Sequence, residues 1–187
     1  MSSVSAKLLT AGLPVALLLL FLAIGAVADR DIIVYAKSRL GGKDAVRKEK
    51  EGVAATITVY NRILSDFYAS GGVPALLDKF PATKSVKHGV FRDLGYIKSA
   101  EKVLVYDHAA TTPVKITFTA PGKAEALVFE EWNFMYQKSA DRKPVSRPQG
   151  LGRGFRYTLV RDQGGWLVDG WDPVEMAEPD KKKEFLF

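Results

Sequence analysis

The chain has 187 residues, 47% apolar and 26% charged, and this balance excludes both a disordered chain and a membrane protein with many spans. It contains no cysteine, which excludes disulfide frameworks, thiolate zinc sites and cysteine nucleophiles. The formal charge of +6 is spread among acidic residues without a basic stripe, so nucleic-acid binding is not expected. With only two histidines, no multi-histidine metal site is expected either.

An uncharged stretch of 21 residues, 8–28, lies near the N-terminus. As a helix rising about 1.5 Å per residue it would span about 30 Å, the thickness of a bilayer core. Residues 1–28 are therefore predicted to be an uncleaved transmembrane anchor. The alternative is a cleaved signal peptide, because Ala26-Val27-Ala28 fits a small-x-small cleavage site. The residues assigned to the anchor are Leu8, Leu17, Leu18, Leu19, Leu20, Phe21 and Leu22.

The charges that flank this segment leave its orientation open. Only Lys7 precedes it, whereas six basic residues follow it closely, and a positive-inside count would place the next domain in the cytoplasm. The signal-like layout and the mixed flank Asp29-Arg30-Asp31 argue for export instead. The exported side of the membrane, periplasmic or lumenal, is favoured.

Residues 29–50 are predicted to be a juxtamembrane connector, broken at Gly41-Gly42. A long helix is expected over 44–69, because apolar residues recur there every three or four positions and form a stripe wide enough to lie on a sheet. The stripe consists of Val53, Ile57, Tyr60, Leu64 and Phe67.

A short helix is predicted over 74–80, since a proline occupies its first turn. Residues 82–100 are expected to hold a strand near 89–92 and a short helix near 94–100.

From residue 102 the apolar period changes to two, which is typical of strands. Strands are predicted over 102–108, 113–120 and 124–137. A polar loop over 138–153 then leads to a closing hairpin. The arms of that hairpin, 154–161 and 166–172, flank the turn sequence Asp162-Gln163-Gly164-Gly165.

The hairpin sequence GFRYTLVRDQGGWLVDGWDPVEM, together with the order of helices and strands, resembles the NTF2-like (SnoaL-like) superfamily. Tyr157, Trp166 and Val168 stand at the matching positions. The resemblance implies a cone-shaped α+β domain over 51–175, in which the long helix packs on a curved antiparallel sheet. The polar tail 176–187 ends in Phe185-Leu186-Phe187.

The resemblance also implies a pocket between the long helix and the concave sheet face. Neighbours in a strand point to opposite faces, so Asp107-His108 cannot place both members in that pocket unless a bulge intervenes, and Glu130 and Glu131 likewise face opposite ways. Asp107-His108 is expected at the surface, and a buried glutamate would have a raised pKa. The candidates for lining a pocket or binding a partner are Tyr60, Tyr106, Glu131, Trp132, Tyr157, Trp166 and Trp171.

The sequence contains no phosphate loop, nucleophile elbow or zinc-binding motif, so we expect no catalytic residues, no metal and no cofactor. The favoured function is a non-catalytic, single-pass accessory or assembly subunit of a membrane complex. Its partners would be integral membrane subunits and the lipid bilayer. Two alternatives stay open: a small-ligand-binding or SnoaL-like enzyme domain with a polar cavity, and a ligand-binding protein secreted after signal cleavage.

Overall fold

The computed structural model of the protein describes residues 30–40 and 43–176. In these ranges four helices precede four strands, and the strands form one antiparallel sheet in the order β1-β2-β3-β4. The predicted α+β class with a curved antiparallel sheet is confirmed. The elements are α1 (Arg30–Leu40), α2 (Lys43–Ala69), α3 (Pro74–Lys79), α4 (Lys84–Ser99), β1 (Lys102–Ala120), β2 (Lys123–Lys138), β3 (Gln149–Asp162) and β4 (Gly165–Val174).

The N-terminal part of the described chain is helical. α1 occupies half of the predicted connector 29–50, α2 begins within it at Lys43, and Val34 of α1 is buried in the core. Among residues 30–40 and 43–176, no helix is both long and apolar enough to cross a membrane. The predicted anchor 1–28 lies outside the described residues, as does the end of the C-terminal tail.

α2 is the long helix that the apolar spacing predicts over 44–69. Its stripe supplies the centre of the core, because Val53, Ile57 and Phe67 are fully buried. It packs on the sheet along β1 and β4. α3 also matches its prediction, with Pro74 in the first turn where a missing N–H removes no helical hydrogen bond.

α4 is a single helix, so the predicted strand near 89–92 is wrong, whereas the helix predicted near 94–100 forms as the C-terminal part of α4. Glycines at 89 and 95 interrupt the apolar pattern and hide its helical period. The inward residues nevertheless recur every three or four positions, and the two central ones are buried. This inward stripe consists of Val86, Val90, Leu94 and Ile97.

β1 is one strand of 19 residues, where the sequence predicts two, 102–108 and 113–120. Its register against β2 shifts between His108 and Ala110 and again after Pro113. Such bulges bend and twist a strand. Pro113 is tolerated because β1 is an edge strand of the described sheet, where a missing N–H breaks no ladder. The polar segment between the predicted strands is therefore the bend of a long strand.

The closing hairpin forms where the turn chemistry predicts it. Asp162 and Gly165 are its last pair, which leaves Gln163-Gly164 as a two-residue turn. The Asp162 carboxylate accepts a hydrogen bond from the Gly164 N–H at 2.7 Å. β3 begins at Gln149, so the predicted loop 138–153 is shorter than expected.

The end of α2 depends on two glycines in the left-handed region. We expect Gly71→Ala (φ +71°) to cost about 1 kcal/mol, because a Cβ there strains the backbone but meets no atom within 4 Å. Gly72→Ala (φ +87°) should cost about 2–4 kcal/mol, because its Cβ would lie 2.0 Å from the buried Leu94 Cδ2. Urea unfolding of both variants tests this, and equal losses would contradict it.

Candidate functional site

A buried carboxylate lies between α2 and the sheet. Glu130 stands in the middle of β2 and is 1% exposed. Alternation along the strand places it on the same face as Val128 and Trp132, which are also buried. Asn61, on the facing side of α2, is fully buried as well. The sequence therefore brings two polar side chains together in the core.

Three donors satisfy the Glu130 carboxylate. Oε1 accepts hydrogen bonds from Asn61 Nδ2 at 2.5 Å and from the Tyr157 hydroxyl at 2.8 Å. Oε2 accepts one from Trp132 Nε1 at 2.8 Å. The donors belong to α2, β3 and β2. A buried charge is tolerated only with such pairing, so this arrangement fixes α2 on the sheet.

The cluster can hold the carboxyl group in either charge state. Burial raises the Glu130 pKa above its ordinary value of 4.5, while the hydrogen bonds from Tyr157, Asn61 and Trp132 oppose that rise. The Tyr157 hydroxyl also lies 3.1 Å from Asn61 Oδ1, which offers a second acceptor for its proton. A protonated Glu130 could therefore donate to Tyr157 while Tyr157 donates to Asn61.

A polar path links this cluster to a histidine nearer the surface. Asn61 Nδ2 donates to Thr111 Oγ1 at 3.2 Å, and His108 Nε2 lies 2.6 Å from the same oxygen. His108 is half-buried, and burial lowers its pKa. Asp107, the next residue in β1, is exposed, so the two do not share a pocket. This agrees with the opposite facing expected for neighbours in a strand.

Aromatic side chains fill the space around the carboxylate. Tyr106 stacks on Trp132 with ring centroids 4.1 Å apart, and Tyr60 meets Tyr157 edge-on at 6.3 Å. Burial raises the pKa of Tyr60, and the nearby Trp171 side chain opposes that rise. Four of the sequence candidates thus lie in one cluster, which we call the Glu130 cluster.

Glu131, the carboxylate proposed from the sequence, does not join this cluster. It follows Glu130 in β2 and so points to the opposite face of the sheet. Alternation alone left open which of the two faces the helix. The apolar neighbours Val128 and Trp132, on the same face as Glu130, were the signal that could have decided it.

Trp166 lies in a separate polar contact between α2 and the closing hairpin. Its Nε1 donates to Glu49 Oε2 at 3.2 Å, and the same oxygen pairs with Arg161 Nη1. The Arg161 guanidinium also lies 5.2 Å from the Trp166 ring centroid. Glu49 is 4% exposed, so this ion pair is shielded from solvent and has a structural role.

Trp171 lies at the edge of the concave sheet face. It pairs in register with Tyr157, is 44% exposed and meets Phe155 edge-on at 5.8 Å. Alternate residues of β3 place Leu151 and Arg153 on the same face, and both are exposed. We call Leu151, Arg153, Phe155 and Trp171 the rim.

The Glu130 cluster should give stability a characteristic pH dependence. Because the folded pKa is raised, the carboxyl contribution is fully present below pH 4.5 and falls as pH rises through the folded pKa. The stability advantage of the parent protein over Glu130→Gln should therefore shrink as pH rises. Urea unfolding over a pH series measures this, with Glu131→Gln on the opposite face as control. A stability difference between the parent protein and Glu130→Gln that stays constant or grows as pH rises would contradict this prediction.

The buried ion pair should matter far more than an exposed one on the same helix. We expect Glu49→Gln to cost about 2 kcal/mol, because it weakens the pairing of a shielded guanidinium. Glu51→Gln should cost less than about 0.5 kcal/mol, since its partner Arg47 is 3.6 Å away and both side chains are more than half exposed. Thermal or urea unfolding compares the two variants.

Comparison with known proteins places the fold. No protein-family model and no curated protein sequence matches the chain. Among solved structures, the chain is similar to the intermembrane space region of the chloroplast protein ARC6, with a TM-score of 0.58 and 10% sequence identity. The match covers 66% of this chain and 95% of that one. At this identity the likeness shows the fold alone: the α+β arrangement described above also occurs in that region of ARC6.

Proposed function

We propose that this chain is a membrane-anchored, non-catalytic binding module with an NTF2-like domain, acting as an accessory or assembly subunit of a membrane protein complex. The observation that carries this is the closed interior of the domain. At the position where an NTF2-like pocket would open, Glu130 and Asn61 are at most 1% exposed. Tyr60, Trp132 and Tyr157 are nearly as deeply buried.

A closed cluster is poorly suited to acid–base catalysis. A general base must lie within hydrogen-bond reach of the proton that it removes. The Glu130 carboxylate already accepts hydrogen bonds from three protein donors. A substrate could reach it only if several aromatic side chains moved. The raised pKa of Glu130 follows from this burial and needs no catalytic role.

The rim has the composition of a protein-binding surface. Tryptophan and arginine are enriched where protein interfaces gain most of their binding energy. Trp171 and Arg153 supply both residue types, with Leu151 and Phe155 beside them. The rim also borders the buried cluster through Tyr157, so it is held on a rigid part of the sheet. We propose that a partner subunit packs here.

The proposed location is the exported side of a membrane. The uncharged segment 8–28 would supply the anchor, and its signal-like layout favours export. The similar region of ARC6 is named as an intermembrane space region, which fits a domain of this fold beside a membrane. The uncharged segment 8–28 and the rim would then contact different parts of the same complex.

Extraction of the full chain in a mild detergent tests this function. We expect the tagged chain to co-elute with at least one other chain in constant ratio, as measured by light scattering and quantitative mass spectrometry. Trp171→Ala should lower the recovered partner at least about tenfold, as loss of a central interface tryptophan does. Tyr96→Ala, which removes a 69% exposed aromatic residue of α4, is the matched control.

Two results would contradict the proposed function. Recovery of the chain as a lone monomer, with all of its anchor intact, would remove the case for a subunit. Equal partner loss in the Trp171 and Tyr96 variants would show that the rim is not the docking surface. Unfolding curves of both variants exclude misfolding as the cause.

A further inference from the structure

The expectation of no basic stripe is wrong for α4, because one continuous helix from Lys84 to Ser99 aligns three lysines around a central aromatic residue. Lys84, Lys87, Phe91 and Lys98 follow one another at spacings of three, four and seven residues, which places them along one side of the helix. Phe91 is 54% exposed. A single exposed ring is common on protein surfaces, but a ring set between lysines along one side of a helix gives the amphipathic basic pattern typical of interfacial helices.

The core does not need this side of the helix. The inward stripe of α4 already packs on the sheet, with Val90 and Leu94 buried. Phe91 follows Val90 and so turns away from that stripe. Tyr96, a second large aromatic residue, is 69% exposed. The exposed rings therefore have no packing role in the domain.

The charge of the stripe is uniformly positive. α4 contains four basic residues and one acidic residue. That acidic residue, Asp93, is two positions from Phe91 and so lies about 200° around the helix from it. Its carboxylate lies 3.7 Å from Arg92 Nε, which is also outside the stripe. Nothing acidic within α4 interrupts the line of lysines.

The helix is also open on the flank of the aromatic ring. Gly95 lies one turn after Phe91 on the same side, and a Cβ added there would meet no atom within 4 Å. A glycine inside a helix lowers stability relative to alanine. Here it leaves the approach to the Phe91 ring clear, so that the ring can reach a surface laid against the helix.

We infer that this face of α4 docks on the anionic phospholipid headgroups of a bilayer. Phe91 would insert at the boundary between headgroups and acyl chains, and Lys84, Lys87 and Lys98 would lie among the phosphates. This surface is distinct from the rim, so the inference goes beyond the proposed binding of a partner subunit.

Two features favour a lipid surface over an acidic protein segment. The stripe uses lysines, whose compact ammonium groups suit a diffuse negative surface, whereas forked guanidinium groups suit paired carboxylates. It is also the outward ridge of one helix, which fits a plane better than it grips an extended peptide. The predicted anchor 8–28 would keep this ridge beside a bilayer and so raise its effective concentration there.

The absence of cysteine allows a clean test on the full chain. A spin label on Gly95→Cys reports the environment beside Phe91 after reconstitution into vesicles. We compare vesicles of phosphatidylcholine alone with vesicles of equal parts phosphatidylcholine and phosphatidylglycerol. Accessibility of the label to oxygen and to a water-soluble nickel complex should switch from water-like to lipid-like only with phosphatidylglycerol. A label on Gln163→Cys, in the exposed hairpin turn, should stay water-like in both.

Variants of the spin-labelled Gly95→Cys chain separate the contribution of the lysine charges from that of Phe91 insertion. Each lysine at an anionic surface changes the ratio of docked to undocked chains about fivefold. Replacing Lys84, Lys87 and Lys98 by glutamine should therefore lower that ratio about 100-fold. The control replaces three exposed lysines of the sheet strands, Lys115, Lys123 and Lys138, and should change little. Phe91→Ala should reduce docking and leave its salt dependence intact.

Three outcomes would overturn the inference. The label could stay water-like on both kinds of vesicle. It could become lipid-like equally on phosphatidylcholine, which would remove the role of the lysines. It could stay water-like on vesicles and be immobilised by added polyglutamate, which would assign the face to an acidic polypeptide. Circular-dichroism melting of each variant shows that the domain is folded, and co-purification through the rim is measured independently.

Discussion

The burial of one carboxylate between helix and sheet constrains the rest of this domain. Removing Glu130 from water is costly, and the cost is offset only while donors surround it. Those donors come from α2, β2 and β3. A helix shifted by one residue would move by about 1.5 Å and 100°, which would carry Asn61 away from the carboxylate. The apolar stripe of α2 alone tolerates such a shift more easily.

A second polar contact fixes the same helix nearer its N-terminus. Glu49 and Asn61 lie about 18 Å apart along the axis of α2. Glu49 meets Arg161 and Trp166 of the closing hairpin, whereas Asn61 meets the middle of the sheet. With both contacts satisfied, α2 has one position along the sheet and one rotation. The concave face is then closed by packing, and the surfaces left for binding lie outside it.

The sequence predicted the elements whose patterns are continuous and missed those whose patterns are interrupted. The unbroken stripe of α2 and the turn chemistry at Gln163-Gly164 were sufficient for the long helix and the hairpin. Pro113 suggested the start of a second strand, because a proline fits the first residue of a strand and bulges interrupt the alternation of β1 before it. The aromatic residues of the Glu130 cluster were predicted from the sequence, but its carboxylate was not. Alternation along a strand defines two faces without saying which of them the helix covers.

The edge strand β4 lies between the buried core and the two proposed binding surfaces, the rim and the basic stripe of α4. The segment before α4 runs along β4: the Thr83 N–H donates to the Val168 carbonyl at 2.9 Å, and the Val168 N–H donates to the Pro81 carbonyl at 2.8 Å. These bonds cover part of an edge that could otherwise pair with another chain. They also fix the start of α4, and with it the direction of its basic stripe. Trp171 stands three residues beyond this cover. One backbone connection therefore positions both the helix that would meet lipid and the stretch of β4 that would meet a partner, and the Glu130 cluster packs beneath the same sheet.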